Sequence, residues 1–189
     1  EENMKEAKYI ALELGYYMVE YTHKKQLECY LSPLKMSKLL YVAQGLSLAI
    51  YHQPLFKDEI KKCKYGVRIE EVDKAFLKSY GGNTIPSTYL EVNYMYWAES
   101  IFCSIPYYRR YLVHPDCHDT FALAYYKNEE LDEITRLILE QTINKLVIIS
   151  NTELLKSVIF DSWAYQVSGE IIDLDYLKIE YISRLTQGE

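Results

Sequence analysis

A group of potential metal ligands lies in the middle of the sequence. The segment His114-Pro-Asp-Cys117-His118 holds residue types that bind zinc, and Cys63 or Cys103 could complete a set of ligands. The spacing matches no familiar zinc motif, and a polar loop bearing a proline explains the same residues. We therefore predict no metal and no cofactor. A metal-dependent or nucleic-acid-processing protein centred on His114, Cys117 and His118 is kept as the alternative.

Aromatic and cationic side chains alternate just before that group. The run consists of Tyr107, Tyr108, Arg109, Arg110 and Tyr111. A platform for single-stranded nucleic acid combines such residues, but they are also the types enriched at the centres of protein interfaces. The chain has 21 basic and 27 acidic residues and a net charge of −6, which disfavours binding to phosphate backbones. We predict that these residues contact a protein partner and not nucleic acid.

The sequence offers little support for an enzyme. It contains no GxSxG motif, no P-loop and no GxGxxG motif. A cysteine and a histidine could still meet in space, as in any chain with four of each. The paired acids Glu70-Glu71 and Glu129-Glu130 stand near predicted helix starts, where the helix dipole explains them. We predict a protein without catalytic residues.

The composition is that of a globular protein. Of 189 residues, 49% are hydrophobic and 25% are charged, and no apolar run approaches the roughly 18 residues that span a membrane. Four widely spaced cysteines are too few to staple a small scaffold, so we predict reduced thiols and a cytoplasmic location. Twenty tyrosines are an unusual number, and they would suit a contact surface.

Hydrophobic periodicity predicts a mainly α fold of about six or seven helices in one domain over residues 1–189. The clearest helix runs from Pro33 to about residue 51, with Ser32 as its N-cap. Segment 55–68 is predicted to be extended, with a small β element. Further helices are predicted at 4–21, 69–80, 128–147, 150–165 and from Asp173. A capping box of Ser150 and Glu153 opens the helix at 150–165. The aromatic segment 83–127 shows no clear period.

Three short blocks of the sequence share their order and spacing with a known family. They are Pro33-Leu-Lys-Met-Ser-Lys38-Leu39-Leu40-Tyr41-Val-Ala43-Gln44-Gly45, Pro54-Leu55-Phe56 and Lys64-Tyr65-Gly66. Together they resemble the Panacea domain, the SocA-like family that includes GepA-like phage-associated proteins. The resemblance is strong over about 30–80 and weaker over 125–185. Val67 replaces the proline expected after Tyr65-Gly66, and segment 83–127 is predicted to be an elaboration that diverges from the family.

The resemblance implies an antitoxin-like protein that neutralises a cognate protein toxin by direct binding. The SocA-like branch further implies an adaptor that presents the toxin to the ClpXP protease. Sequestration and proteolytic delivery both stay open, as do the oligomeric state and the contact residues. A phage or mobile-element protein that binds a host factor is a further alternative.

The block that carries the resemblance has polar and small residues in the middle of a helix. Lys38, Tyr41, Gln44 and Gly45 are spaced for one side of that helix, beside Leu39. We predict that Gly45 permits close approach of another backbone, and that the polar side chains anchor neighbouring segments such as the Tyr65-Gly66 turn. These family-type residues are therefore expected to form a scaffold, and segment 83–127 is expected to give specificity for the partner.

Overall fold

A computed structural model of the chain describes residues 6–63, 66–80, 131–158 and 169–188. These residues form six α-helices and two strands, confirming the prediction of a mainly α fold with a small β element near 55–68. In chain order the elements are α1 (Ala11–Lys24), a 3-10 turn (Glu28–Tyr30), α2 (Pro33–Tyr51), β1 (Lys61–Cys63), β2 (Gly66–Arg68), α3 (Glu70–Tyr80), α4 (Glu133–Leu146), α5 (Asn151–Val158) and α6 (Leu174–Gln187).

Helix α2 is the centre of the described fold. It contacts α1, all four helices that follow it and strand β2. Most of its residues are buried on every side, as is typical of a helix that others surround. Ile50 is exposed near the end of the helix, while Lys35, Lys38 and Gln44 are buried. The polar residues of α2 therefore point into the protein and need partners there.

The ends of α2 lie where the sequence placed them. Pro33 occupies the first turn, and His52 ends the helix in the left-handed conformation with a φ of 56°. Ser32 is the N-cap residue, but its hydroxyl makes no capping hydrogen bond; instead it accepts one from the side-chain amide of Asn151 at 3.3 Å. That side-chain contact joins the start of α2 to the start of α5.

The small sheet ties two distant parts of the chain together. Strands β1 and β2 are antiparallel, with Lys62 opposite Val67. The other edge of β1 pairs with residues 169–172: Lys62 N donates to Glu170 O at 2.9 Å, and Gly169 N donates to Lys62 O at 2.7 Å. The segment that leads into α6 is thereby fixed beside the hairpin.

The first helix begins later than predicted. The periodicity predicted a helix over 4–21, but Tyr9 pairs with Phe56 in a parallel β-bridge, and α1 begins at Ala11. The carboxylate of Asp58 accepts a hydrogen bond from Ala11 N at 2.6 Å, so a residue 47 positions away satisfies the first turn. The helix then continues to Lys24, three residues beyond its predicted end.

Side-chain caps open the last three helices. Helix α4 is capped by Asp132, whose Oδ1 accepts a hydrogen bond from Thr135 N at 2.9 Å. The predicted start at Asn128 is therefore wrong, since residues 131 and 132 are not helical. The predicted capping box is confirmed, because Ser150 and Glu153 each accept a hydrogen bond from the other's backbone N–H. Asp173 caps α6 as predicted.

One hydrophobic cluster joins the described helices. It includes large side chains from α1, α2 and α3, among them Tyr16, Met18, Leu39, Tyr41 and Phe76. Among the described residues, no helix combines the length and the apolar composition needed to cross a lipid bilayer.

Candidate functional site: the polar side chains of the central helix

The family-type residues of α2 are all buried. Leu39 is a core residue, Lys38 and Tyr41 are 5% and 1% exposed, and Gln44 is inaccessible to solvent. Gly45 is buried as well. Buried polar groups are stable only when they have hydrogen-bond partners. We refer to Lys38, Tyr41, Gln44 and Gly45 as the row on α2. The contacts of each residue decide whether this row is a reaction site or a set of structural anchors.

Gln44 binds the segment that follows α2. Its Oε1 accepts hydrogen bonds from Leu55 N at 2.7 Å and from Phe56 N at 3.3 Å. Its Nε2 donates to Phe56 O at 3.1 Å. The side-chain amide thus forms the hydrogen bonds that a neighbouring strand would form, and it satisfies three buried backbone groups. The first two sequence blocks are joined through this amide.

Gly45 makes room for a side chain of the last helix. A β-carbon at position 45 would overlap the ring of Tyr181, lying 2.7 Å from its Cγ. The close approach that the sequence predicted is therefore present, but the approaching group is an aromatic ring and not a backbone. Tyr41 meets the same ring edge-on, with centroids 6.0 Å apart. Tyr41, Gly45 and Tyr181 together hold α6 against α2.

Lys38 lies beneath the hairpin. Its Nζ donates to Leu34 O, one turn earlier, at 2.7 Å. Its Cε would be 3.4 Å from a β-carbon at Gly66, a residue with a φ of 112° that favours glycine. Burial lowers the pKa of the Lys38 ammonium, while nearby Cys63 and Asp73 pull it back up. The first and third sequence blocks meet here by packing, and the lysine bonds its own helix.

A second polar group beside Lys38 was not found from the sequence. Ser37 Oγ donates to Asp73 Oδ1 at 2.8 Å, and Arg68 Nε lies 3.1 Å from Asp73 Oδ2. Burial raises the pKa of Asp73, and the hydrogen bond from Ser37 and the charges of Arg68 and Lys38 oppose that shift. One carboxylate thereby links α2, β2 and α3. Because both of its oxygens already have partners, we interpret this group as a structural link.

This link gives a first expected result. Asp73→Ala should lower the free energy of unfolding by about 2 kcal/mol, because Ser37 and Lys38 stay buried without the carboxylate. Urea unfolding measures the change. Glu71→Ala is the matched control on the same helix, since its ion pair with Lys74 is exposed and should contribute much less to stability. Equal effects of the two substitutions would contradict the link.

Lys35 is a further anchor that the sequence did not reveal. Its Nζ donates to Tyr30 O at 2.9 Å and to Val147 O at 2.6 Å. Val147 is the C-cap of α4, where unpaired carbonyls and the helix dipole favour a cation. Burial lowers the pKa of Lys35. A buried lysine on α2 thus binds the end of another helix.

Tyrosines join α1 to α4 in a regular ladder. Tyr9 donates to Asp132 at 3.0 Å, and Tyr17 donates to Glu140 at 2.6 Å. Tyr21 exchanges hydrogen bonds with Asn144. Each pair is separated by 123 positions, so the two helices run parallel in a fixed register. Tyr9, Tyr17 and Tyr21 are therefore connectors within the protein.

The buried tyrosines predict that the protein is sensitive to alkaline pH. Burial is the main cause that raises the pKa of Tyr9 to about 12, and burial also raises the pKa of the Tyr17, Tyr41 and Tyr181 hydroxyls. In the unfolded chain these groups ionise near pH 10. The unfolded state therefore releases protons first, and stability should fall as the pH rises from 10 towards 12.

Urea unfolding between pH 9 and pH 12 measures this dependence. Tyr9→Phe removes one titrating group, so the free energy of unfolding of this variant should fall less steeply than that of the wild type. Lysines that titrate in the same range are common to both proteins and cancel in the comparison. Identical slopes would show that Tyr9 does not contribute.

The other predicted site residues lie outside the described residues. These are Tyr65, Tyr107, Tyr108, Arg109, Arg110, Tyr111, His114, Cys117 and His118. Within the described residues, no group of three or more His, Cys, Asp or Glu side chains could hold a metal ion. The candidate site described by the structure therefore consists of the row on α2 with its neighbours Lys35 and Ser37. The contacts of these residues with β2, α3, α4 and α6 are structural.

Comparisons with known proteins give no relative. No family model, curated protein or solved structure matches the sequence. The class that the fold itself supports is a mainly α protein with a small antiparallel sheet.

Proposed function

We propose that this chain is an antitoxin-like protein-binding module that neutralises a protein toxin by direct binding in the cytoplasm. The observation that supports this proposal is that the residues behind the family resemblance make contacts inside the protein. Lys38, Gln44 and Gly45 serve contacts inside the protein, to Leu34, to residues 55–56 and to Tyr181. These residues have structural roles, which supports a binding surface elsewhere on the protein.

The described surface suits binding to another protein. Large apolar side chains are exposed on several helices, including Ile50 on α2, Ile134 and Leu137 on α4, and Ile179 on α6. The net charge of −6 would favour a basic partner, because opposite potentials speed encounter and disfavour wrong partners. The resemblance to SocA-like antitoxins indicates that the partner is a protein toxin. It also indicates that this chain neutralises the toxin by sequestering it or by delivering it to ClpXP.

Co-expression with the product of the adjacent reading frame tests this function. We expect that product to arrest growth alone, to become harmless when this chain is present, and to co-purify with it. A product that is harmless alone, or that stays toxic and unbound, would overturn the proposal. The half-life of the product in cells with and without ClpXP then separates delivery from sequestration: only delivery predicts a longer half-life without the protease.

A further inference from the structure

Residues 169–188 are held to the rest of the protein by few buried side chains. In α6 only Leu177 and Tyr181 are buried, two of 14 residues, whereas 14 of the 19 residues of α2 are buried. In the segment 169–173 that leads into α6, only Ile172 is buried. The free energy of local opening is low where few apolar side chains are buried. Residues 169–188 are therefore expected to open more easily than α2.

The contacts of this segment lie at its two ends and at one central ring. Its start pairs with β1 through three backbone hydrogen bonds of 2.7–2.9 Å. Near its end Arg184 donates to Ser157 O of α5 at 2.5 Å. Between these ends the ring of Tyr181 occupies the space above Gly45. A helix of 14 residues is marginal in water without packing, so loss of the Tyr181 contact should release α6 as a whole.

The rest of α2 has anchors that do not depend on this segment. Lys35, Ser37 and Gln44 bind the end of α4, helix α3 and the segment that follows α2. None of these hydrogen bonds involves residues 169–188. Helices α1, α2 and α3 also share a cluster of large buried side chains. These contacts hold the remaining body together when residues 169–188 are detached.

We propose that residues 169–188 form a strap that opens as one cooperative unit while helices α1 to α4 stay folded. In the closed state Tyr41 is 1% exposed, and the Tyr181 ring covers Gly45. Opening uncovers both residues of α2 and leaves the slot that the ring fills in the closed state. The strap therefore controls access to this part of the row on α2. The inference concerns the fold and does not depend on the proposed antitoxin function.

Native-state hydrogen exchange on the full chain tests the strap, with single amides followed by NMR in low concentrations of urea. We expect the amides in the middle of α6 to be protected at least about tenfold less than the most protected amides of α2. They should also share one dependence on urea, which marks a unit that exposes surface when it opens. Exchange of α6 and α2 in a single global transition would overturn the inference, as would exchange of α6 amide by amide without dependence on urea.

Substitutions in the body and in the strap should give different patterns of exchange. Asp73→Ala weakens the link between α2, β2 and α3, which is the same whether the strap is closed or open. It should therefore accelerate exchange of the most protected amides of α2 about 30-fold and leave that of α6 unchanged. Tyr181→Ala destabilises only the closed state, so it should accelerate exchange in both helices at least about tenfold.

The matched control within the strap is Ile179→Ala, since this side chain is 66% exposed. It should change exchange in α6 and α2 by less than about threefold. If Asp73→Ala does not fold, Ser37→Ala removes a hydrogen bond to the same carboxylate and gives the same comparison. A substitution in the body that accelerates exchange in α6 as much as in α2 would show that α6 opens only by global unfolding, and would overturn the inference.

Discussion

Gly45→Leu is expected to lower the free energy of unfolding by about 2 kcal/mol or more. Leucine should gain roughly 1 kcal/mol over glycine from helix propensity. Overpacking a filled core costs about 1–3 kcal/mol and sometimes more. Here a β-carbon alone would already overlap the Tyr181 ring, a large buried side chain between two helices. Packing therefore dominates propensity. Thermal and urea unfolding measure the loss.

The effect of Gly45→Ala on stability should change sign when Tyr181 is removed. Gly45→Ala should destabilise the wild type, because its methyl group meets the Tyr181 ring. In a Tyr181→Ala background the ring is absent, and the same Gly45→Ala substitution should stabilise the protein by up to about 1 kcal/mol. If Gly45→Ala had the same effect in both backgrounds, Tyr181 would not be the reason for glycine at this position.

The sequence predicted those parts of the fold that depend on neighbours along the chain. The limits of α2 follow from Pro33 in its first turn and from His52 just after its last residue, which are adjacent along the chain. The caps at Ser150 and Asp173 act over three residues. Local chemistry of this kind can be read without knowing the tertiary structure.

Contacts between distant residues could not be predicted in the same way. The start of α1 depends on Asp58, 47 positions along the chain. The spacing of Tyr17 and Tyr21 places both on one face of a helix, but nothing in the sequence indicates partners 123 positions later. Buried lysines are also unexpected from composition, because lysine is normally exposed. Lys35 is explained only by carbonyls of two other elements.

The sequence predicted the scaffold role of the candidate site but not its individual contacts. The row of Lys38, Tyr41, Gln44 and Gly45 was expected to be scaffold, and its buried contacts support that interpretation. The expected partner was the Tyr65-Gly66 turn. Lys38 does lie against Gly66 of that turn, but its hydrogen bond goes to Leu34 O, and Gln44 binds residues 55–56. Side-chain reach limits the choice to nearby elements, but only the folded chain determines which one.

Gln44→Leu is expected to lower the free energy of unfolding by about 3 kcal/mol. Leucine has nearly the same size, so the core stays filled, but Leu55 N, Phe56 N and Phe56 O lose their side-chain partner. An unsatisfied buried polar group costs about 1–3 kcal/mol, and some of the three will reach water as the segment shifts. The loss should be seen in urea unfolding and in faster amide hydrogen exchange at residues 55 and 56.

A matched substitution separates this clamp from a general effect of leucine. Gln141→Leu places the same change on an exposed position of α4 and should alter stability by less than about 0.5 kcal/mol. Gln44→Glu keeps the volume but replaces the amide donor to Phe56 O by a second acceptor and, when ionised, adds a buried charge. It should therefore be destabilising at neutral pH and recover part of the loss as the pH falls and the carboxyl is protonated. If Gln44→Leu proved as stable as Gln141→Leu, segment 55–56 would be held by the packing of Phe56 alone, and the first two sequence blocks would be joined by hydrophobic contact instead of the amide.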